Sequence, residues 1–196
     1  MHLTAAAIIC AVRPHGENGA IVRALTADHG LMAGYVQGAR SRTLRPILIP
    51  GNEVRGDWRA RVSSQLASLS VEPVHSRAHL LTEPLASAAM EWATALTAAT
   101  LPEEHPYPNL HSGLGGLLSA IEHSPSARNW AGALARYEEL LITELGYGDG
   151  QANSAEPAEA MIRNRERLVA QLLGDHHRDV MAARQRLVER LKRAVA

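Results

Sequence analysis

Hydrophobic and polar positions along the chain change their spacing near Ser76. Before it, short apolar runs are separated by turn-forming residues every few positions, a pattern typical of β-strands joined by tight connections. The run from Thr4 to Val12 is apolar almost throughout, as expected for a strand covered on both faces. The pattern predicts five strands: Thr4 to Val12, Ala20 to Thr26, Leu31 to Gln37, Asn52 to Gln65 and Leu66 to Val74.

Five short strands with no helix between them predict a small closed barrel such as the OB-fold, with a small sandwich as the structural alternative. After Ser76, apolar residues recur at helical spacing and prolines divide the segments. The predicted helices are Pro84 to Thr100, Asn109 to His123, Ala127 to Leu145, Pro157 to Leu173 and His177 to Ala194. The predicted fold class is therefore α+β, with an OB-fold barrel at residues 1–75 followed by an all-helical domain at residues 76–196.

Charge divides the chain further, although the formal net charge is zero. The net charge is +4 over residues 1–80, −7 over residues 81–155 and +3 over residues 156–196. Residues 149–155 are mostly small and polar and predict a linker between acidic helices at 76–148 and basic helices at 156–196. An acidic middle between two basic ends suggests that the regions have separate roles, with nucleic acid as a candidate partner of the basic ones.

The single cysteine, Cys10, excludes an intramolecular disulfide and any zinc site built from several thiolates. It is consistent with a reducing compartment. No stretch approaches the roughly 20 apolar residues that would span a membrane. We therefore expect a cytoplasmic protein without a membrane partner, a metal or another cofactor.

Arginines concentrate in the predicted barrel. The loop Gly38 to Arg45 carries Arg40, Arg42 and Arg45 beside short hydroxyl side chains, which is the chemistry of sequence-independent phosphate binding. On the fourth strand, alternation places three further arginines on one face: Arg55, Arg59 and Arg61. A solvated strand face is the plainer interpretation of these three.

Aromatic residues that could stack on bases are few, since the chain has no phenylalanine and the strands offer only Tyr35 and Trp58. By strand parity Trp58 lies opposite the arginines and is predicted to be in the core. Phosphate contacts should then dominate any DNA binding.

Motifs for catalysis are weak. Gly113 to Gly116 lacks the strand and the Lys-Ser/Thr pair of a phosphate loop and is expected to be a helix-packing run. His176 and His177 with Asp175 and Asp179 form a poor metal site, because adjacent helical residues point about 100° apart. Glu138 and Glu139 are expected to form a solvated helix face. The basic residues of the last two helices are either outer faces of packed helices or a second DNA surface.

Five segments together resemble the RecO family of recombinational-repair proteins in order and spacing. They are Gly16 to Val22, Leu25 to Leu31, Val36 to Arg42, Pro102 to Leu110 and Tyr137 to Gly148. The resemblance covers about residues 3–148. After Gly148 this chain has a short polar linker where many family members have a four-cysteine zinc module, so zinc is not expected.

The resemblance implies a non-enzymatic recombination mediator whose OB-fold binds single- and double-stranded DNA and anneals complementary strands. It also implies action with the RecR protein to load RecA recombinase, and binding of the acidic C-terminal tail of single-strand-binding protein through the helical domain. The DNA-binding role carries over onto Arg40 and Arg42, which match the Gly-Ala-Arg motif. It carries over more loosely onto Arg45, Arg55, Arg59 and Arg61.

Binding an acidic tail requires a cation beside an apolar pocket, because the net charge of residues 81–155 is unfavourable for it. Only Arg128 and Arg136 are basic in that stretch. Two turns apart on one helix, they could flank Trp130 and Leu134 only loosely, so Arg136 alone is the expected carboxylate partner.

Two other classes of function stay open. One is a protein-interaction adaptor whose barrel has lost DNA affinity. The other is an enzyme with a site assembled from scattered residues such as His75, His79 and Asp175, which would show as a deep polar pocket with perturbed carboxylates.

Overall fold

The structure, a computed structural model, describes residues 1–62, 65–124, 126–148, 157–174 and 178–195. Its strands are β1 (His2–His15), β2 (Gly19–Thr26), β3 (Gly30–Val36), β4 (Glu53–Arg59) and β5 (Ser68–His75). A 3₁₀ turn at Ala78–Thr82 leads into the helices α1 (Pro84–Thr100), α2 (Pro108–His123), α3 (Ala127–Glu144), α4 (Pro157–Arg167) and α5 (Arg178–Val195). Within the described ranges, none of the helices has both the length and the apolar content that a bilayer crossing requires.

The five strands close into a barrel in the order β1-β2-β3-β5-β4. All neighbours are antiparallel except β3 and β5, which meet in parallel where Tyr35 pairs with Ser68. The long β1 pairs with β4 through its first half and with β2 through its second half, and a bulge between Ile9 and Ala11 lets it bend. The predicted α+β class and OB-type barrel are confirmed, and the sandwich alternative is wrong.

Trp58 fills the barrel interior and is fully buried, as its strand parity predicts. Two glycines make room for its indole. A methyl group on Gly56 would lie 2.3 Å from the Trp58 ring, and one on Gly34 would lie 2.6 Å from the Leu69 side chain and 3.0 Å from Trp58 Nε1. The tryptophan therefore stabilises the barrel and is not accessible to a base.

Most predicted boundaries agree with the structure to within a few residues. The exceptions are β1, which is longer than the predicted strand at both ends, and β4, which ends at Arg59 rather than near residue 65. The fourth helix changes to a π-helical turn at Leu168–Leu173. The predicted linker at 149–155 lies outside the described residues.

The helices pack on one outer side of the barrel. Ile8, Cys10 and Leu25 face away from the barrel interior and share a core with Trp92 and Leu96 of α1. Burial raises the pKa of the Cys10 thiol to about 12. The barrel and the helices thus meet through a continuous apolar contact that leaves the other side of the barrel uncovered.

A buried arginine, Arg77, links the barrel to the helices through its hydrogen bonds and ion pairs. Arg77 is buried, donates to the Gly51 carbonyl at 2.7 Å and to Glu53 Oε1 at 2.9 Å, and its Nε lies 3.1 Å from Glu122 of α2. His75 Nε2 lies 2.9 Å from the same Glu122 carboxylate. Burial opposes the ionised form of Glu122, but the His75 hydrogen bond and the Arg77 charge hold its pKa below the usual value.

A buried ion pair ties α5 to α3, which the sequence pattern did not predict. Glu138 is 0% exposed and Arg184 is 3% exposed, and the Arg184 Nε lies 3.1 Å from Glu138 Oε1. Trp92 Nε1 donates to the same oxygen at 2.8 Å. The prediction of a solvated face at Glu138 is wrong, because the carboxylate has its partners inside the helical core.

Candidate nucleic-acid interface

The loop that joins β3 to β4 is built so that its arginines project outward. Gly38 begins it with a positive φ of 67°, and the carbonyl of Gly38 accepts from the Ser41 N–H at 2.9 Å. The Ser41 hydroxyl in turn accepts from the Leu44 N–H at 3.2 Å. These bonds form a local turn in which apolar and basic positions point to different sides.

The far end of the loop is anchored by a buried amide. Asn52 is 2% exposed, and its Nδ2 donates to the carbonyls of Pro46 at 3.1 Å and Ile47 at 3.0 Å. Leu48 is buried in the barrel core, with Leu44 and Ile47 packed against it. The loop is therefore fixed on the barrel by its apolar residues, which lowers the entropy cost of presenting its cations.

Arg40, Arg42 and Arg45 are all exposed. Within the described ranges, none of the three side chains makes a hydrogen bond or an ion pair with another residue, so their guanidinium groups are available to a ligand. The structure places them on one short loop, as the sequence pattern requires. Their role in binding DNA stays a prediction.

The three arginines assigned to the fourth strand have different surroundings. Arg55 and Arg59 project from the outer face of β4, but Arg61 lies beyond the end of that strand, so its assignment to a shared strand face is wrong. Arg59 Nη2 pairs with Asp57 at 2.7 Å, which lowers the pKa of the Asp57 carboxyl. Arg55 and Arg61 have no such partner within the described residues and are the more available cations.

Cross-strand pairing also brings residues together that sequence reasoning did not connect. Arg13 on β1 is opposite Ile21 on β2, which is opposite Tyr35 on β3. Tyr35 meets Ser68 on β5, which is opposite Arg59 on β4. Arg13 was not predicted as a site residue, because its place in the same cross-strand row as Tyr35, two strands away, depends on the strand register.

The part of the chain that forms the barrel is similar to a known protein family. Residues 1–77 match the family model described as "Recombination protein O N terminal". The DNA repair protein RecO of Gluconacetobacter diazotrophicus is 40% identical over 151 residues, which is 76% of this chain and 59% of that relative. The RecO of Phenylobacterium zucineum is 42% identical over 143 residues, 72% of this chain and 58% of the relative.

The chain belongs to the RecO family. The identities lie near 40% and extend beyond the barrel into the helices, so the relationship does not rest on the barrel alone. The chain spans somewhat less than three fifths of the length of these curated relatives.

A four-cysteine zinc module cannot form in this sequence, which has one cysteine. Cys10 is the only cysteine, is 2% exposed, and lies on β1 with a raised thiol pKa. Across the ranges that the structure describes, no group of three or more histidine, cysteine or acidic side chains is arranged to hold a metal ion. The donor set does not fit a structural zinc site, and Asp175, His176 and His177 lie outside the described residues.

In the helical region of this RecO-family chain, Arg136 is exposed at a groove between α2 and α3 of about 220 Å³. The groove is lined by Gly113, Gly116, Leu117, Ala133, Tyr137 and Leu140. Trp130 and Leu134, which the two arginines could flank only loosely, are buried in the core. The glycine run lies on α2, and its first glycine packs against α3 as predicted, because a methyl group on Gly113 would lie 2.9 Å from Leu140, whereas one on Gly116 would meet nothing within 4 Å.

Many basic residues of the last two helices bind within the protein. Arg184 is in the buried pair with Glu138, Arg186 pairs with Glu91 at 2.5 Å, and Arg190 donates to the Pro84 carbonyl. Arg167 contacts Glu139 at 3.0 Å. These contacts favour packed helices over a second DNA surface.

The histidines of the enzyme alternative surround a paired carboxylate. His75 and His79 lie 2.9 Å and 3.7 Å from Glu122, whose pKa is lowered. The downward shift of the Glu122 pKa is the shift of an ion-paired carboxylate and does not favour a general acid, for which a raised pKa is the usual sign. The third residue of that hypothesis, Asp175, lies outside the described residues.

Proposed function

We propose that this chain is a DNA-binding recombination mediator in DNA repair. In this proposal residues 1–75 form the DNA-binding domain and residues 76–196 form a domain that binds protein partners in the cytoplasm. The observation that carries it is the anchored loop of a RecO-family barrel, on which the side chains of Arg40, Arg42 and Arg45 are exposed and pair with no other described residue.

The proposed mechanism is phosphate neutralisation without catalysis. Guanidinium groups displace the counterions condensed on DNA, so affinity does not depend on sequence. Arg55 and Arg61 extend the basic surface, with Arg59 contributing less because Asp57 already pairs with it. Holding two strands on such a surface lowers their mutual repulsion, which promotes annealing. Together with RecR, the chain would assist RecA loading on coated single-stranded DNA.

The proposed partner site on the helical domain is the groove beside Arg136. The acidic C-terminal tail of single-strand-binding protein would place its terminal apolar side chain in the groove and its carboxylate on Arg136. The small residues Gly116 and Ala133 at this groove allow a peptide to approach the helix backbones.

Replacing Arg40, Arg42 and Arg45 together by alanine tests the DNA surface. Affinity should fall similarly for all sequences, and the slope of log affinity against log salt should flatten by about 2 to 3, since each lost phosphate contact removes roughly 0.7 to 0.9. Fluorescence anisotropy at several salt concentrations measures both quantities.

The matched control removes three exposed arginines of the helical region: Arg128, Arg165 and Arg193. It changes the net charge equally and should leave the slope near the wild-type value. If the loop variant behaves like this control, the DNA surface lies elsewhere on the chain.

For the tail site, Arg136→Glu should abolish binding of an acidic peptide that ends in a hydrophobic residue, without changing DNA affinity. Arg128→Glu, two turns earlier on the same helix, is the matched control and should bind normally. Isothermal titration calorimetry with the peptide measures its affinity for both variants. Normal binding by Arg136→Glu would remove the site from this groove.

The second candidate function is an adaptor whose barrel does not bind DNA. The burial of Trp58 favours it, because the barrel then offers little aromatic surface. Salt-dependent DNA binding by the wild-type protein would exclude it.

A further inference from the structure

A row of outward-facing residues crosses the uncovered side of the barrel. Residues directly opposite each other on neighbouring strands point to the same face of a sheet. The register links Arg13, Ile21, Tyr35, Ser68, Arg59 and His2 in that order. All are exposed or half-buried, whereas their sequence neighbours Val22, Val36 and Trp58 are buried in the barrel.

Tyr35 lies near the middle of this row and is held there by its neighbours. Its phenol end occupies the space above Gly19, where a methyl group would lie 2.2 Å from the Tyr35 hydroxyl oxygen. His15 meets the ring edge-on, with 6.0 Å between ring centroids and an interplanar angle of 82°. A side chain at residue 19 or a different packing at residue 15 would displace the ring, so its orientation is set before any ligand binds.

Cations lie on both sides of the ring. Arg13 and Arg59 are each two strands away from Tyr35, which corresponds to about 10 Å at the usual spacing of strands. Arg59 is paired with Asp57, but the Arg13 side chain is exposed and makes no hydrogen bond or ion pair with another described residue. A single strand of DNA lying along the row would meet the Arg13 guanidinium, the Tyr35 ring and the Arg59 guanidinium in turn.

We infer that Tyr35 is a base-stacking platform for single-stranded DNA, with Arg13 as its adjacent phosphate contact. The inference rests on the proposed DNA-binding function and adds to it a preference for single-stranded over duplex DNA. Stacking on a protein ring needs an unpaired base, and every base has a face that can stack. The paired bases of a duplex are not available, so Tyr35 contributes to single-strand affinity alone.

The test compares Tyr35→Leu and Tyr35→Phe with the wild-type protein on oligothymidylate, on an abasic oligonucleotide of equal length and on a duplex. Tyr35→Leu should weaken oligothymidylate binding by at least about fivefold, the lower end of the loss for one stacked base. Tyr35→Phe should restore it. Binding to the duplex and to the abasic strand, and the salt slope, should not change. Tyr147→Leu is the matched control at an exposed tyrosine on the helical region.

A crosslink gives a second measurement if the leucine variant fails to fold. Irradiating the wild-type complex with a bromodeoxyuridine oligonucleotide should join the base to Tyr35, and peptide mapping would locate it. If Tyr35→Leu binds oligothymidylate as tightly as the wild-type protein does, this inference is wrong and the proposed function still stands. The same holds if the variant loses affinity for the duplex to the same extent. Crosslinks confined to other residues also overturn it. Failure of the wild-type protein to bind any oligonucleotide overturns both.

Discussion

Replacing Arg184 with leucine removes the cation of the buried ion pair that Arg184 forms with Glu138. Glu138 accepts hydrogen bonds from Trp92 Nε1 at 2.8 Å, from Asn164 Nδ2 at 3.2 Å and from the Arg184 guanidinium at 3.1 Å and 3.2 Å. Arg184 also donates to the Met161 carbonyl at 2.5 Å. Without it, the neutral donors of Trp92 and Asn164 are what the described residues leave to a carboxylate that has no exposure to solvent.

The expected loss of stability follows from that burial. Removing one member of a buried ion pair costs about 3–5 kcal/mol, since the remaining charge is desolvated without compensation. Leucine fills much of the space of the arginine stem, so the cavity contribution is the smaller term. The Arg184 guanidinium also lies 5.6 Å from the Trp92 ring centroid, and this cation–π contact is lost too. The total is a large fraction of the roughly 5–15 kcal/mol that stabilises a typical protein.

Urea unfolding at neutral pH, followed by tryptophan fluorescence, measures this change. Arg186→Leu is the matched control, because Arg186 lies on the same helix in an exposed pair with Glu91 and should cost less than about 1 kcal/mol. The double variant Glu138→Gln, Arg184→Leu should lose less than Arg184→Leu alone, since no buried charge is left. If Arg184→Leu costs no more than Arg186→Leu, the assignment of a stabilising buried pair is wrong.

Three further predictions concern other positions. Gly30→Ala should lower the free energy of unfolding in urea by more than about 1 kcal/mol, because φ is 71° and the added methyl would lie 1.9 Å from the His105 carbonyl oxygen. The Cys10 thiol, with its pKa raised to about 12 by burial, should react with Ellman's reagent only after unfolding, and rapid native labelling would contradict its placement. The ionised Glu122 should stabilise the protein above its unfolded pKa near 4.5, and this contribution should be lost as the pH falls through the lower folded pKa. Glu122→Gln should flatten the pH dependence of unfolding there, and an unchanged profile would exclude this linkage.

The periodicity of the chain determined the kinds of element and their order. Apolar alternation before Ser76 predicted five strands, and helical spacing after it predicted helices that agree closely with the structure, as α1 shows by beginning at Pro84 and ending at Thr100. Strand parity also placed Trp58 in the core. These predictions succeeded because element type and side-chain direction depend on spacing within a few residues, which the sequence displays directly.

Only the tertiary structure decided which distant residues meet. Glu138 and Arg184 are 46 positions apart, and a charged residue in an amphipathic pattern is assigned to solvent unless its partner is known. The row through Tyr35 likewise depends on the closure of β3 against β5, which no local pattern encodes. The physical reason is the same in both cases. Burial of a charge and exposure of a ring are set by cross-strand register and helix packing, and these are fixed by the joint free energy of the whole core rather than by any one segment.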